Sequence, residues 1–176
     1  MSTSAHLFAE RGYRAVSTIE LGEAVGMSGP ALYNYFPSKE ALLCELLIDV
    51  SARLLAGALE ITHNQRAPQE QLHELIDFHV LFATTEPDII LLQDRELANL
   101  PSEANRKVRR LQREYLAEWE HVVAELVPSV TPEERKTRLL ATFGLLNSTP
   151  HSAQPSGARA AEILNTMAQA ALLATI

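Results

Sequence analysis

Prolines and short polar clusters divide this chain into segments of helical length, and several of these segments open with a helix start signal. Ser17 with Glu20, and Thr131 with Pro132 and Glu134, have the spacing at which a capping side chain and an acidic residue satisfy the free amides of a first helical turn. No segment shows the sustained apolar and polar alternation of a half-buried strand. The sequence therefore predicts an all-α fold.

The apolar spacing between these signals predicts the individual helices. The predicted ranges are 4–11, 17–25, 28–35, 38–58, 68–84, 87–97, 102–127, 131–147 and 157–174. The run from His63 to Pro68 is predicted to be a link between helices. The segment from Ser148 to Ser156 is rich in proline and serine, so we predict a loop there.

Composition places the chain among soluble globular proteins. It has 47% hydrophobic and 21% charged residues, which is enough apolar content to form a core. Its one cysteine, Cys44, excludes an internal disulfide and fits a reducing compartment. The first residues lack the pattern of a signal peptide, and no apolar run is long enough to span a bilayer. We therefore expect a cytoplasmic protein without membrane partners.

The charge of the chain argues against a nucleic-acid binder held by bulk electrostatics. The formal net charge is -7, and residues 1–46 carry three basic against five acidic side chains, a charge of -2. Any contact with DNA must therefore come from a local surface, on which a few basic groups, amides and hydroxyls face the phosphates.

A glycine turn joins the second and third predicted helices. Gly26 permits the positive φ that such a turn needs. The apolar residues spaced to face each other across the bend are Leu21, Val25, Met27, Leu32 and Phe36. The outer side of the third helix carries mainly small and polar residues. Helix, tight turn and helix is the arrangement that places a recognition helix in the major groove of DNA.

In and around this helix-turn-helix the chain resembles the tetracycline-repressor (TetR) family of bacterial regulators. The resemblance rests on the stretches Phe8 to Tyr13, Ser17-Thr18 and Gly26 to Leu43. It implies a three-helix helix-turn-helix head at 1–46, and a multi-helix body at 47–176 that binds a ligand and dimerises. It further implies a non-enzymatic, cofactor-free transcriptional repressor, released from a near-palindromic operator in double-stranded DNA by a small-molecule effector.

The resemblance also implies which residues touch DNA. Thr18 and Lys39 would bind phosphates, and the hydroxyls of Tyr33 and Tyr35 would reach the backbone. Asn34 could pair with an adenine edge or take a phosphate or solvent role. Tyr33 could instead pack inward, and Lys39 could be only a solvated lysine. The full implied set is Ser17, Thr18, Ser28, Gly29, Pro30, Ala31, Tyr33, Asn34, Tyr35 and Lys39.

The body offers candidate effector contacts and a candidate dimer face. The predicted ligand-binding residues are His79, Phe82, Tyr115, Trp119 and Phe143. In the alternative interpretation these are ordinary core residues, and His79 is an interior histidine whose hydrogen bonds are satisfied. The turn 145–151 resembles a segment in family members tied to acyl-coenzyme A breakdown, which favours a hydrophobic or acyl-type effector. The resemblance implies a homodimer through the last two helices, whose apolar residues are Leu139, Leu140, Phe143, Leu146, Ile163, Leu164, Met167, Ala171 and Leu172.

Other features of the chain allow different interpretations. The basic cluster of Arg106, Lys107, Arg109, Arg110 and Arg113 is either a solvated face or an attractor for an anionic ligand, such as the phosphates of a coenzyme A ester. The histidines lack metal-ligand spacing, and no acid, base and nucleophile converge as an enzyme would require. The alternative function is a helical small-molecule carrier or interaction module that has lost DNA binding.

Overall fold

The computed structural model describes residues 2–27, 31–32 and 34–174, and within them every regular element is helical. The α-helices are α1 (Ser2–Arg11), α2 (Thr18–Ala24), α3 (Lys39–Thr62), α4 (Pro68–Thr85), α5 (Pro87–Glu96), α6 (Ser102–Leu126), α7 (Pro132–Leu146), α8 (Thr149–Ser156) and α9 (Ala160–Leu173). Single 3-10 turns occupy Leu97–Asn99 and Gly157–Arg159. The predicted all-α fold is confirmed. None of the described helices has the length and apolar content to cross a membrane.

Local capping fixes where several helices begin. The Ser17 hydroxyl accepts from the Glu20 amide at 3.2 Å, while the Glu20 carboxylate accepts from the Ser17 amide at 2.8 Å. The Thr131 hydroxyl accepts from the Glu134 amide at 3.3 Å, and the Ser38 hydroxyl accepts from the amide of Ala41 at 3.0 Å. These hydrogen bonds confirm the predicted starts. The starts could be predicted from the sequence because each depends only on residues that are close in sequence.

The loop predicted at 148–156 is wrong, since α8 occupies Thr149–Ser156. The Ser148 carbonyl accepts from the amides of His151 and Ser152, both at 2.9 Å, which closes a first helical turn. The Thr149 hydroxyl, only 3% exposed, donates to the Ala83 carbonyl on α4 at 2.6 Å. This tertiary hydrogen bond outweighs the loop tendency of the composition.

The chain divides into two compact units, each with its own core. The first unit comprises residues 1–52 and 88–109, and the second comprises residues 53–87 and 110–176. This division does not test the functional boundary predicted between 46 and 47, which stays a prediction.

In the first unit, α5 is fastened to α1. The Arg95 guanidinium donates to the Ala9 carbonyl at 3.0 Å, and His6 lies 3.0 Å from the Asp88 carboxylate. The apolar faces of these and neighbouring elements supply the buried residues Ala5, Phe8, Val16, Leu21, Leu32, Leu42, Leu46, Ile89, Ile90 and Leu92. Of the recognition helix predicted at 28–35, residues 31–32 are helical, whereas Asn34 and Tyr35 lie in a turn, so the predicted helical end at Tyr35 is wrong.

In the second unit, the core lies among α4, α6, α7 and α9. Its most buried members include Leu72, Leu75, Ile76, Trp119, Val122, Val123, Leu139, Leu146, Ala168 and Leu172. Gly57 on α3 meets the ring of Phe78 on α4 so closely that a Cβ at position 57 would overlap it. The absence of a side chain at Gly57 therefore allows this close approach.

Candidate DNA interface and effector site

The turn after α2 is a Schellman motif. Gly26 has φ 73°, the Met27 amide donates to the Gly22 carbonyl at 2.8 Å, and the Gly26 amide donates to that of Glu23 at 3.1 Å. Leu21 is fully buried and Leu32 is 7% exposed, as the predicted packing across the bend requires. It is wrong for Met27, which is 39% exposed. The turn directs the chain into the predicted recognition helix.

The start of α2 is held by a compact polar group. The Glu20 carboxylate accepts from the Ser17 hydroxyl at 2.7 Å and from the Arg11 guanidinium at 3.1 Å. The hydrogen bond from the Ser17 backbone, followed by that from its hydroxyl, holds the pKa of Glu20 below its usual value. Because Ser17 already uses its amide and hydroxyl hydrogens, a DNA contact by this residue would have to replace those bonds.

Lys39 holds the connection between α1 and α2. Its ammonium donates to the carbonyls of Tyr13 and Val16 at 2.8 Å each, and to that of Arg14 at 3.3 Å. It also lies 4.6 Å from the centroid of the Tyr13 ring, which in turn packs edge-on against Phe8. All three ammonium hydrogens are thus used inside the head, and the predicted phosphate contact stays a prediction that requires these bonds to open.

The remaining predicted DNA contacts differ in what the structure says of them. Asn34 is exposed and Tyr35 is 68% exposed, while Thr18 and Ala31 are partly buried. Ser28, Gly29, Pro30 and Tyr33 lie outside the described residues. Ile19, directly after Thr18 on α2, has a side chain that is 63% exposed, and the sequence analysis did not consider it.

All five predicted ligand-binding residues meet in the second unit. His79 and Trp119 each lie 5.0 Å from Phe143 between ring centroids. Tyr115 is 5.7 Å from Phe143, and Phe82 is 5.6 Å from His79. We refer to these five residues as the aromatic cluster. Phe143 is its most exposed member, since the other four are buried.

His79 connects three helices through two hydrogen bonds. Its Nε2 lies 3.0 Å from the Asn147 side-chain oxygen, and its Nδ1 lies 3.0 Å from the Tyr115 hydroxyl. Because that amide oxygen only accepts, Nε2 carries the proton and Nδ1 accepts from Tyr115. Burial lowers the pKa of His79 to about 4, against the opposing effect of Asn147, so the ring is neutral at pH 7. Burial likewise raises the pKa of Tyr115.

Asn147 was missed by sequence reasoning. It lies at the end of α7, four residues after Phe143, and its backbone amide donates to the Phe143 carbonyl at 2.8 Å. A polar residue one turn from an aromatic residue was the only sequence signal. His79 is a buried histidine with both ring nitrogens hydrogen-bonded, which agrees with the satisfied interior histidine of the alternative interpretation. Ligand contact by the aromatic cluster stays a prediction.

The predicted dimer stripe divides between core and surface. Leu139, Leu146, Leu164 and Leu172 are buried within the chain itself, so their predicted role at the interface is wrong. The exposed apolar members are Leu140, Ile163 and Met167, at 55%, 38% and 49%. The helical period explains the division, because residues three or four apart lie on the same face of a helix. On α7 and α9 one such face packs into the core, and the apolar residues outside it are exposed.

Two open grooves lie on the surface of the second unit beside α4 and α9. One has a volume of about 450 Å³ and is lined in part by Leu81 and Asn165. The other, of about 470 Å³, is lined in part by Arg66 and Gln169.

In the part of the chain that the structure describes, no three metal-ligating side chains converge. The basic residues at 106, 107, 109, 110 and 113 are all exposed, so a solvated face and an attractor for an anionic ligand both stay predictions.

Two family profiles match this chain. The profile described as "Bacterial regulatory proteins, tetR family" matches residues 1–46, and "Tetracyclin repressor-like, C-terminal domain" matches residues 65–175. The second match alone covers more than half of the chain. The protein belongs to the TetR family.

Individual relatives are more distant. The nucleoid occlusion factor SlmA of Haemophilus influenzae is 30% identical over 83 residues, 47% of this chain and 38% of the relative. The transcriptional repressor KstR2 of Rhodococcus jostii is 32% identical over 119 residues, 63% of this chain and 58% of the relative. These matches span roughly two-fifths to three-fifths of the relatives' own lengths.

A solved structure of a TetR-family fold extends over nearly the whole chain. AibR, in complex with isovaleryl coenzyme A and operator DNA, has a TM-score of 0.80, covers 99% of this chain and is itself covered to 96%. Its sequence is 19% identical, so the likeness establishes the fold.

Proposed function

We propose that this chain is a DNA-binding transcriptional repressor that an acyl-type or other hydrophobic effector releases from a near-palindromic operator. The observation that carries the proposal is the Schellman turn at Gly26, which joins α2 to the recognition segment inside a matched TetR head. KstR2 is named as a repressor, and AibR was solved with an acyl coenzyme A and operator DNA. The carrier alternative is not favoured, because the DNA-binding signature covers 1–46.

In this proposal residues 1–46 bind DNA and residues 47–176 bind the effector and a second copy. The DNA-contacting set begins with Asn34 and Tyr35, whose side chains are exposed. The others are Ser17, Thr18, Ser28, Gly29, Pro30, Ala31, Tyr33 and Lys39. The effector contacts are the aromatic cluster, which combines large apolar area with the polar groups of Tyr115 and Trp119.

A gel-shift assay tests the repressor proposal directly. DNA upstream of the protein's own gene should shift at low salt, and added isovaleryl coenzyme A or octanoyl coenzyme A should release it. Trp119, the single tryptophan of the chain, lies in the aromatic cluster and reports binding through its fluorescence. If the intact protein fails to shift this DNA at any salt concentration, the carrier alternative replaces the repressor.

Tyr35→Phe is expected to weaken operator binding about tenfold, because it removes a hydroxyl predicted to donate to a phosphate. Fluorescence anisotropy with labelled operator measures the change. Tyr13→Phe is the control, since the Tyr13 ring packs against Phe8 inside the head and its affinity should match wild type. Equal affinities for Tyr35→Phe and wild type would remove Tyr35 from the interface.

We further propose that a homodimer forms through the exposed face of α7 and α9. Leu140, Ala141 and Gly144 on α7 are exposed, as are Ile163 and Met167 on α9. These small and apolar residues recur at spacings of three or four, so they form one stripe on each helix. Two such pairs, one from each chain, would bury their stripes as a four-helix bundle.

Met167→Glu is expected to shift the dimer toward monomers and to weaken operator binding, because two half-sites require two heads. We expect dimer dissociation to increase at least tenfold, in line with a loss of about 1.4 kcal/mol or more from a buried apolar contact. Analytical ultracentrifugation measures it. Gln169→Glu on the same helix is the control, since Gln169 lines the groove beside Arg66. A dimer that tolerates Met167→Glu but not Gln169→Glu would place the interface elsewhere.

A further inference from the structure

We propose that a basic stripe on α6 binds the phosphate groups of a coenzyme A ester, so that the effector is an acyl-coenzyme A and not a free acid. The inference rests on the proposed function and names the polar half of its acyl-type effector. The basic stripe consists of the exposed side chains of Arg106, Lys107, Arg109, Arg110 and Arg113.

The stripe concentrates positive charge within an acidic chain. It holds five of the 15 lysine and arginine residues, although the formal net charge of the chain is -7. No acidic residue lies between Glu103 and Glu114, which border the stripe in sequence. Because α6 is a continuous helix, the residues at 106, 109, 110 and 113 stand three or four positions apart and share one face. The stripe is therefore a continuous cationic surface.

The basic side chains point away from the core. Val108, Leu111 and Tyr115 on the same helix are buried, whereas all members of the stripe are exposed. Among the described residues, Arg110 has one ion pair, in which its Nε lies 3.7 Å from the Glu114 carboxylate, and the other four side chains have no ion pair or hydrogen bond. The cations of the stripe are thus available to a ligand.

Other arginines of this chain are used differently. Arg53 donates two hydrogen bonds to the Glu86 carboxylate, at 3.0 and 2.8 Å, and Arg138 donates to Glu134 at 2.6 Å. Like charges three or four residues apart repel each other on a helix, and among the described residues this repulsion within the stripe is largely uncompensated. A bound polyanion would remove it.

The chemistry of the stripe favours phosphate as its ligand. All of its members except Lys107 are arginines, whose planar guanidinium groups donate two parallel hydrogen bonds to a phosphate. From residue 106 to residue 113 the helix rises about 10 Å, at about 1.5 Å for each residue. That length suits the compact phosphate-bearing end of coenzyme A, while Glu103 and Glu114 at its borders would repel a DNA backbone that ran past them.

The place of the stripe on α6 suits an effector with two unlike halves. An acyl-coenzyme A has a polyanionic half that stays hydrated and an apolar half that is buried. The stripe offers exposed cations to the first half. The aromatic cluster, proposed above to contact the second half, begins on this helix at Tyr115, two residues after Arg113. A free fatty acid carries a single negative charge beside its apolar chain and would leave the stripe largely unneutralised.

Isothermal titration calorimetry on the full chain compares three probes. They are octanoyl coenzyme A, S-octanoyl pantetheine, which keeps the thioester but lacks every phosphate, and octanoate. Wild type should bind octanoyl coenzyme A at least tenfold more tightly than either of the others, because hydrogen bonds between guanidinium and phosphate are charge-assisted. That preference should shrink as the salt concentration rises, since the stripe is exposed.

The stripe variant combines three substitutions, namely Arg106→Gln, Arg109→Gln and Arg113→Gln. It should bind octanoyl coenzyme A at least tenfold more weakly than wild type and bind S-octanoyl pantetheine equally well. The control variant neutralises exposed cations outside α6, namely Arg66→Gln, Lys136→Gln and Arg159→Gln, and should bind octanoyl coenzyme A as wild type does. Because both variants change the net charge equally, the comparison separates the stripe from the overall charge of the protein.

A second measurement needs no ligand. Because the stripe residues repel one another, the stripe variant should melt a few degrees above wild type at low salt and close to wild type at high salt. A lower melting temperature at low salt would show that these arginines have stabilising partners within the folded protein and would overturn their assignment to a ligand.

The outcomes separate this inference from the function on which it rests. If the stripe variant keeps the wild-type affinity for octanoyl coenzyme A, the phosphate site is wrong while the acyl-effector repressor stands. If that variant instead lowers only the salt slope of operator binding, the stripe binds DNA phosphates and the effector assignment is overturned. Octanoate that binds wild type as tightly as octanoyl coenzyme A would overturn it as well. If wild type shifts operator DNA but binds none of the three probes, the acyl class itself fails and the inference fails with it.

Discussion

Replacing Lys39 with methionine is expected to lower the free energy of unfolding by about 2–3 kcal/mol, since hydrogen bonds to charged groups each contribute about 1.5–3 kcal/mol and those here are partly solvated. The ammonium donates to the carbonyls of Tyr13, Arg14 and Val16, while methionine keeps only the apolar stem. The connection between α1 and α2 would lose its cross-link. Urea unfolding followed by circular dichroism measures the loss, and hydrogen exchange of residues 13–16 locates it.

Lys136→Met provides the comparison, because Lys136 is an exposed lysine on α7 and should change stability little. The same two variants decide the phosphate role implied by the family resemblance. A lysine that contacts phosphate adds about one to the slope of log affinity against log salt. If Lys39→Met lowers that slope by about one and leaves stability unchanged, Lys39 belongs to the DNA interface and not to the internal structure of the head.

Acidification is expected to destabilise the second unit through His79. Its pKa is lowered to about 4 in the folded chain, mainly by burial, while an unfolded histidine titrates near 6.5. Between these values the unfolded state binds more protons, so the stabilising contribution is complete above about pH 6.5 and is lost as pH falls toward 4. The gap corresponds to about 3 kcal/mol, at 1.36 kcal/mol for each pKa unit.

His79→Gln removes this titration and should flatten the stability profile between pH 7 and pH 4 by about that 3 kcal/mol. Chemical denaturation at a series of pH values, read by Trp119 fluorescence, measures it. His121→Gln is the matched control, since His121 is an exposed histidine 3.2 Å from Glu125 and should leave the profile near wild type. A His79→Gln profile as steep as wild type would mean that the ring is solvated when folded.

Short-range signals predicted much of this fold. The starts of α2 and α7 follow from hydroxyl and carboxyl groups three residues apart, and the end of α2 follows from a glycine with positive φ. These interactions are completed within a few residues, so the sequence carries them without knowledge of the rest of the chain. The resemblance extended this reasoning to the residues proposed to contact DNA, of which Ser28, Gly29, Pro30 and Tyr33 lie outside the described residues.

The incorrect predictions concern features that depend on contacts between residues far apart in sequence. Whether 148–156 became a loop or a helix depended on a hydrogen bond from Thr149 to Ala83, 66 residues earlier in the chain. Apolar residues on α7 and α9 looked alike in sequence, yet Leu139 is buried in the core and Leu140 is 55% exposed. The direction in which each helix turns its faces is set by packing against other helices, and no local pattern records it.

The sequence by itself determined that this chain is helical, where most helices begin, and that a tight glycine turn follows α2. Only the tertiary structure decided how the polar groups are used: Lys39 donates to backbone carbonyls, and His79 lies between Tyr115 and Asn147. The physical reason is that a side chain's hydrogen-bond partners are chosen by proximity in space. That proximity is fixed only after the helices have packed.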